Sequence, residues 1–217
     1  MKIHKVIQRS KEWHEIRHAK IGGTSAKGLF ADSDTLAIEL TSKIVEGYND
    51  DDDDGYTNEA MQRGIDLEPQ ALLAIEQYSG YKFGEFGWLE SDECNLLGLS
   101  PDGMTNDFKI ACEVKCPSAK KHLEYILSNE VPSEYIHQVI HYFTVNQDLQ
   151  TLFFVSYRPE FTAKPIFVKE VTGVSEINIG TKAKPKMIAI NEAAKIALEN
   201  GIKLQEKINE IINKLNF

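Results

Sequence analysis

The pair Pro101-Asp102, a spacer, and then Glu113-Val114-Lys115 bring together residue types able to perform hydrolytic phosphoryl chemistry. In an extended strand, residues i and i+2 point to the same face, so Glu113 and Lys115 project together if the run FKIACEVKCP is a strand. The glycine after Asp102 permits a tight turn, through which a hairpin or an adjacent strand sets Asp102 beside them. Two carboxylates and one ammonium then share a single place. Hard Mg²⁺ takes oxygen ligands of this kind, polarises a phosphoryl group and lowers the pKa of bound water. A lysine nearby orients that water, or accepts its proton where the metal's field depresses the lysine pKa. Phosphodiester hydrolysis needs this combination. The letters are common, however, and by themselves fit a turn aspartate and a solvent-facing strand ion pair equally well.

The elements that must position these residues can be read from periodicity. Leu36, Leu40 and Ile44 lie four apart and predict a helix from about Asp34 to a stop at Gly47. A second helix is expected over roughly 57 to 79, tolerating Gly64 and Pro69. From Tyr81 the texture changes to short aromatic and β-branched runs, FGEFGWLES, CNLLGLSPDG and FKIACEVKCP, read as consecutive strands of a mainly antiparallel sheet. Helical spacing returns at about 119 to 128 and 133 to 145, the latter with Ser133 as a candidate cap. TLFFVSYRP and KPIFVKEVT predict two more strands, and a helical tail from about Lys186 carries a stripe of Leu204, Ile208, Ile211 and Leu215. The fold class expected is α/β (α+β), a restriction-endonuclease-like core with a central mixed sheet flanked by helices. One domain over 1–217 is expected, with the helical segment from about 184 to 217 packed on it.

Composition narrows the setting. The apolar fraction of 42% and charged fraction of 26% are those of an ordinary globular protein, and no apolar run is long enough to cross a bilayer. The amino terminus MKIHKVIQRSKEW lacks the apolar stretch of a secretory signal, so a cytoplasmic location with reduced Cys94, Cys112 and Cys116 is expected. A net charge of −9 argues against a general nucleic-acid coat. Part of that excess belongs to the run Asp50 to Asp54, read as a solvated loop, and any DNA contact requires the basic residues to be gathered along one groove.

Four segments, EWHEIRHAKIGGTSA, RGIDLEPQALLAIEQYSG, LSPDG with EVKCP, and EYIHQVIHYFTV, occur in the order and with closely similar spacing to the exonuclease of bacteriophage lambda and the related YqaJ-type phage recombination exonucleases. The chain resembles this family of the PD-(D/E)xK nuclease superfamily over about residues 9 to 172. The resemblance implies that Asp102 and Glu113 bind metal with the Val114 carbonyl as a further ligand, and that Lys115 is the catalytic lysine. It places Glu68 and Gln138 in the active site, and gives Arg17 with Thr24, or its neighbour Ser25, to the terminal 5′-phosphate. It further implies two Mg²⁺ ions replaceable by Mn²⁺, and 5′ to 3′ digestion of the 5′-ended strand of linear double-stranded DNA. A homotrimeric ring and a single-strand annealing protein as partner in phage recombination belong to the same implication. The rival readings are a structure-specific or restriction-type endonuclease of the superfamily, and a non-catalytic DNA-end-binding module.

Other residues have plainer readings. His137 and His141 lie four apart on a predicted helix, but no HExxH frame surrounds them, so they are expected to be structural or at most DNA-facing. Cys112 and Cys116 lack further ligands at zinc spacing. Trp13 and Trp88 are expected to be packing aromatics, with Trp13 close enough to Arg17 to touch a DNA end.

Overall fold

The computed structural model describes residues 1–31, 33–49, 58–181 and 183–215. A short strand β1 (Lys2–His4) leads into α1 (Lys11–Arg17), a 3-10 helix (Gly23–Phe30) and α2 (Ser33–Glu46). The long helix α3 (Glu59–Ser79) starts at Asn58, whose side chain accepts from the Met61 N–H, and ends at Gly80, whose φ of 78° is left-handed. The strands β2 (Trp88–Glu90), β3 (Gly98–Leu99), β4 (Gly103–Met104) and β5 (Ile110–Lys115) follow, then α4 (Ala119–Ser128) and α5 (Ile136–Val145). The strands β6 (Thr151–Tyr157), β7 (Ile166–Thr172), β8 (Glu176–Asn178) and β9 (Met187–Ala189) precede the last helix, α6 (Ile190–Leu215).

The runs from Tyr81 to Pro117 do not form one sheet. β2 pairs with β1 and β3, while β4 and β5 open a four-stranded sheet of order β4-β5-β6-β7. Within it β4·β5 and β6·β7 are antiparallel and β5·β6 is parallel, so the central sheet is mixed rather than mainly antiparallel. The parallel step follows from the two helices α4 and α5 between β5 and β6, which supply the long crossover a parallel pair requires.

Two apolar layers cover this sheet. Cys112 and Val114 of β5, with Phe153 and Val155 of β6, pack against Ala71 and Ile75 of α3. The opposite face carries Ala111, Leu152 and Phe154 into a larger core with Val139 and Ile140 of α5 and Leu204 and Ile208 of α6. Along α6 the buried positions include Ile190, Ala193, Ala197, Gly201, Leu204 and Ile208, the three-to-four spacing of one helical face. The expected stripe is right at Leu204 and Ile208, but Leu215 is exposed. The tail turns helical only at Ile190, because Met187–Ala189 pairs with Glu176–Asn178 instead.

The helix expected from Ser133 begins at Ile136, with Tyr135 as the preceding cap residue, and Ser133 lies outside it in a turn. The start of the second predicted helix at 57 and the Asp50 to Asp54 run lie outside the described residues. Among the described residues, no helix is long and apolar enough to cross a membrane.

Candidate active site

The β4·β5 hairpin sets the centre of the site. Gly103 pairs with Cys112, which places Asp102, the residue just before β4, opposite Glu113. Asp102 Oδ2 accepts the Val114 N–H at 2.7 Å, tying the loop to the strand. Gly103 has a packing role here rather than the turn role expected of it: its φ is not left-handed, and a Cβ would lie 2.8 Å from Cys112 Sγ and 2.9 Å from Phe83 Cβ. The loop before Asp102 is anchored as well. Gln8 donates to the Pro101 carbonyl at 3.0 Å, and Ser100 Oγ donates to the Gly87 carbonyl while accepting from Trp13 Nε1 at 2.8 Å.

Glu113 and Lys115 share a face of β5, as the strand period requires, and form an ion pair. That face looks toward α5. Gln138 Nε2 donates to Glu113 Oε1 at 2.7 Å, and Tyr142 Oη, one turn further along the helix, donates to Glu113 Oε2 at 2.7 Å. Both oxygens of a carboxylate that is only 1% exposed are thus held by donors. Tyr142 is absent from the expected site. Its signal in the sequence is the i, i+4 spacing from Gln138, visible only once the face of α5 that meets β5 is known.

Electrostatics sharpen the picture. Burial pushes the Asp102 carboxyl well above its usual range, and the neighbouring Glu113 and Glu68 carboxylates add to the effect against the opposing Lys115. Burial pulls the Lys115 ammonium down, but Glu113 and Asp102 outweigh it and leave its pKa raised. These two carboxylates therefore favour the charged form of the lysine.

Asp102, Val114 and Lys115 line a cleft of about 960 Å³ together with Glu68 and Thr24. Glu68, on α3, accepts from Arg9 at 2.8 Å. Arg9 has a left-handed backbone, φ 68°. Thr24 opens onto the cleft from the start of the 3-10 helix, whereas the Ser25 hydroxyl is engaged with the Gly22 N–H at 3.1 Å and the Gly22 carbonyl at 3.2 Å. Of the two, Thr24 is the one that lines the cleft. Arg17 is not among the cleft-lining residues. Its guanidinium lies 3.6 Å from the Trp13 ring centroid and 5.6 Å from that of Trp88, with Gly22 beside it. Trp13 therefore serves both Arg17 and the Ser100 loop. The 3-10 segment also touches the centre directly, since a Cβ on Gly23 would stand 2.9 Å from Gln138 Cγ.

The paired histidines diverge. His141 Nε2 donates to the Gly98 carbonyl at 2.8 Å, and His137 packs against Phe30 with ring centroids 5.0 Å apart.

The donor set suits a hard divalent cation. Burial and the neighbouring Glu113 oppose ionisation of Asp102, and a cation between the two groups would favour both carboxylates. Among the described residues no three His, Cys, Asp or Glu side chains converge as a complete cage. Mg²⁺ fits such a partial set, because it typically keeps waters and takes substrate phosphate oxygens beside one or two carboxylates.

Fold and site together define a mixed α/β core of restriction-endonuclease type with a carboxylate–lysine cleft at its central hairpin. The family description of the YqaJ-like viral recombinase domain matches residues 12–148, and the chain belongs to that family. No curated protein matches the sequence. Among solved structures, the chain is similar to an alkaline exonuclease from Laribacter hongkongensis, with TM-score 0.72, 23% identity, and 95% of this chain and 98% of that chain covered. The same enzyme in complex with dAMP gives TM-score 0.72 at 24% identity over the same shares. A phage-related exonuclease from Haemophilus somnus 129PT is similar with TM-score 0.53 and 12% identity, covering 91% of this chain and 97% of that one.

Proposed function

We propose that the chain is a Mg²⁺-dependent exonuclease that digests the 5′-ended strand of linear double-stranded DNA from 5′ to 3′, leaving a 3′-tailed strand for recombination by annealing. The observation that carries this reading is the meeting of Asp102, Glu113 and Lys115 beside a cleft that also holds Glu68 and Thr24. Family membership and the fold shared with two exonucleases support it.

Asp102, Glu113 and the Val114 carbonyl would hold the metal, which supplies phosphoryl polarisation and a water of lowered pKa. Gln138 and Tyr142 fix the Glu113 carboxylate so that it presents one geometry. Lys115, paired with Glu113, orients the attacking water or accepts its proton. Glu68 completes the rim, positioned by Arg9. Thr24 donates its hydroxyl to the terminal 5′-phosphate, and Arg17 supplies a planar fork of donors to the same group, presented by its stacking on Trp13. A homotrimeric ring and a single-strand annealing protein as partner extend the reading through the family resemblance, and Mn²⁺ is expected to replace Mg²⁺.

The test is digestion of linear duplexes labelled at one end, carrying either a 5′-phosphate or a 5′-hydroxyl, beside a covalently closed circle. Faster loss of the 5′-phosphorylated strand, with the circle spared, is expected. Arg17→Ala should lose most of the phosphate preference, at about 1.5–3 kcal/mol for a charged hydrogen bond. Cutting of the closed circle would instead establish an endonuclease, and no Mg²⁺-dependent cleavage of any substrate would leave a DNA-end-binding module.

A further inference from the structure

In the same cleft two guanidiniums converge on a single carboxylate. Arg63, on the first turns of α3, donates to Glu160 Oε2 at 2.6 Å, and Arg158 Nε stands 4.0 Å from the same oxygen. Both arginines line the cleft that contains Asp102 and Lys115, while Glu160 sits on the turn between β6 and β7 and is not part of the lining.

The three partners are not equally committed. Arg158 is anchored independently, donating to the Pro117 carbonyl at 2.9 Å, two residues beyond Lys115. Arg63 bonds Glu160 through Nη2, and its side chain is 30% exposed and lines the cleft, so an anion in the cleft can reach the guanidinium. Glu160 itself is 52% exposed, and an ion pair at that exposure is worth little. A phosphate diester offers the same anionic oxygens, and arginine forks bind either group.

We propose that Arg63 and Arg158 form a subsite for a backbone phosphate of the DNA, and that Glu160 occupies it as an exchangeable stand-in when no DNA is bound. The proposal rests on the nuclease reading above and assigns a strand path leading away from the metal carboxylates along α3 and the β6–β7 turn. It predicts opposite signs for two partners of one ion pair. Glu160→Gln frees both arginines and strengthens DNA binding, whereas Arg63→Ala removes a phosphate donor and weakens it. A purely structural pair gives no such opposition, because breaking it from either side costs stability alike.

The experiment measures binding of the full chain to a 5′-phosphorylated duplex with phosphorothioate ends, in Ca²⁺, by fluorescence anisotropy across a salt series, with thermal melts of each variant. Glu160→Gln should bind up to about 5-fold tighter, the equilibrium equivalent of an exposed ion pair. Arg63→Ala should bind more weakly and flatten the slope of log K against log salt by about 0.9, the value for one lost phosphate contact. Arg158→Ala should shift binding in the same direction as Arg63→Ala. Wild-type binding in which Glu160→Gln has unchanged or weaker affinity overturns the subsite and leaves the nuclease reading standing. A wild type that shows no salt-dependent binding to the duplex overturns both.

Discussion

At the residue scale, the site divides into groups that hold charge and groups that hold those groups. Asp102 sits in a carboxylate pair whose mutual repulsion a cation relieves, and Lys115 is a fixed positive charge beside it. Lys115→Ala is therefore expected to lower kcat by about 10²–10⁴-fold with DNA affinity nearly unchanged. Asp102→Ala should also raise the Mg²⁺ concentration needed for half-maximal rate. Titrating Mg²⁺ for each variant separates the two, and near wild-type cleavage by either would remove the assigned mechanism. Tyr142 acts at one remove. Its hydroxyl holds Glu113 Oε2 inside the protein, so Tyr142→Phe should cost about 10- to 100-fold in apparent Mg²⁺ affinity or rate while the fold persists. A Tyr142→Phe enzyme with unaltered Mg²⁺ dependence would make the contact a packing detail.

At the element scale, α5 is the hub. One turn of it delivers Gln138 and Tyr142 to Glu113, and the next residue back from Tyr142, His141, points the other way to the Gly98 carbonyl of β3. His141 is buried, and burial lowers its pKa from 6.5 to about 4. A histidine whose folded pKa is depressed takes up its proton more readily in the unfolded chain. Its contribution is thus complete above the unfolded value near 6.5 and is lost as pH falls toward 4. The loss should reach about 2 kcal/mol on going from about pH 7.5 to about pH 5. Urea unfolding at the two pH values measures it, and His141→Gln should remove most of the difference. Asp102, whose carboxyl is raised, contributes with the opposite sign in this window, so the difference between wild type and His141→Gln is the readout, and an identical pH dependence for the two would show that His141 is not buried neutral.

At the scale of the whole molecule, the two apolar layers on the central sheet meet in different partners, α3 on one face and α5 with α6 on the other. Helix α6 buries Leu204 to 2% exposure in the same core as Ile140 and Phe154. If the chain folds as one unit, Leu204→Ala should destabilise by about 2–5 kcal/mol and do so everywhere at once. Trp13 and Trp88, both near Arg17 and remote in sequence from α6, report on the site end. Fluorescence and far-ultraviolet circular dichroism should then give coincident unfolding curves for the variant. Separate transitions would divide the chain into two folding units.

That Asp102, Glu113 and Lys115 meet was legible from the sequence because a strand has a period of two and a hairpin returns on itself; those are local rules. The helical stripe at Leu204 and Ile208 was legible for the same reason, since burial periodicity is written along one element. Distances between elements are not written there. The parallel pairing of β5 with β6, the split of β2 and β3 into another sheet, and the clamp of Tyr142 on Glu113 all depend on which faces meet. So does which of Thr24 and Ser25 lines the cleft, the Ser25 hydroxyl being bonded to the Gly22 backbone. Sequence alone determined which residues could do chemistry and on which face of a strand they stand. Only the tertiary structure decided what holds them, because the donors on α5 and the guanidiniums of Arg63 and Arg158 reach their partners through contacts between elements far apart in the chain.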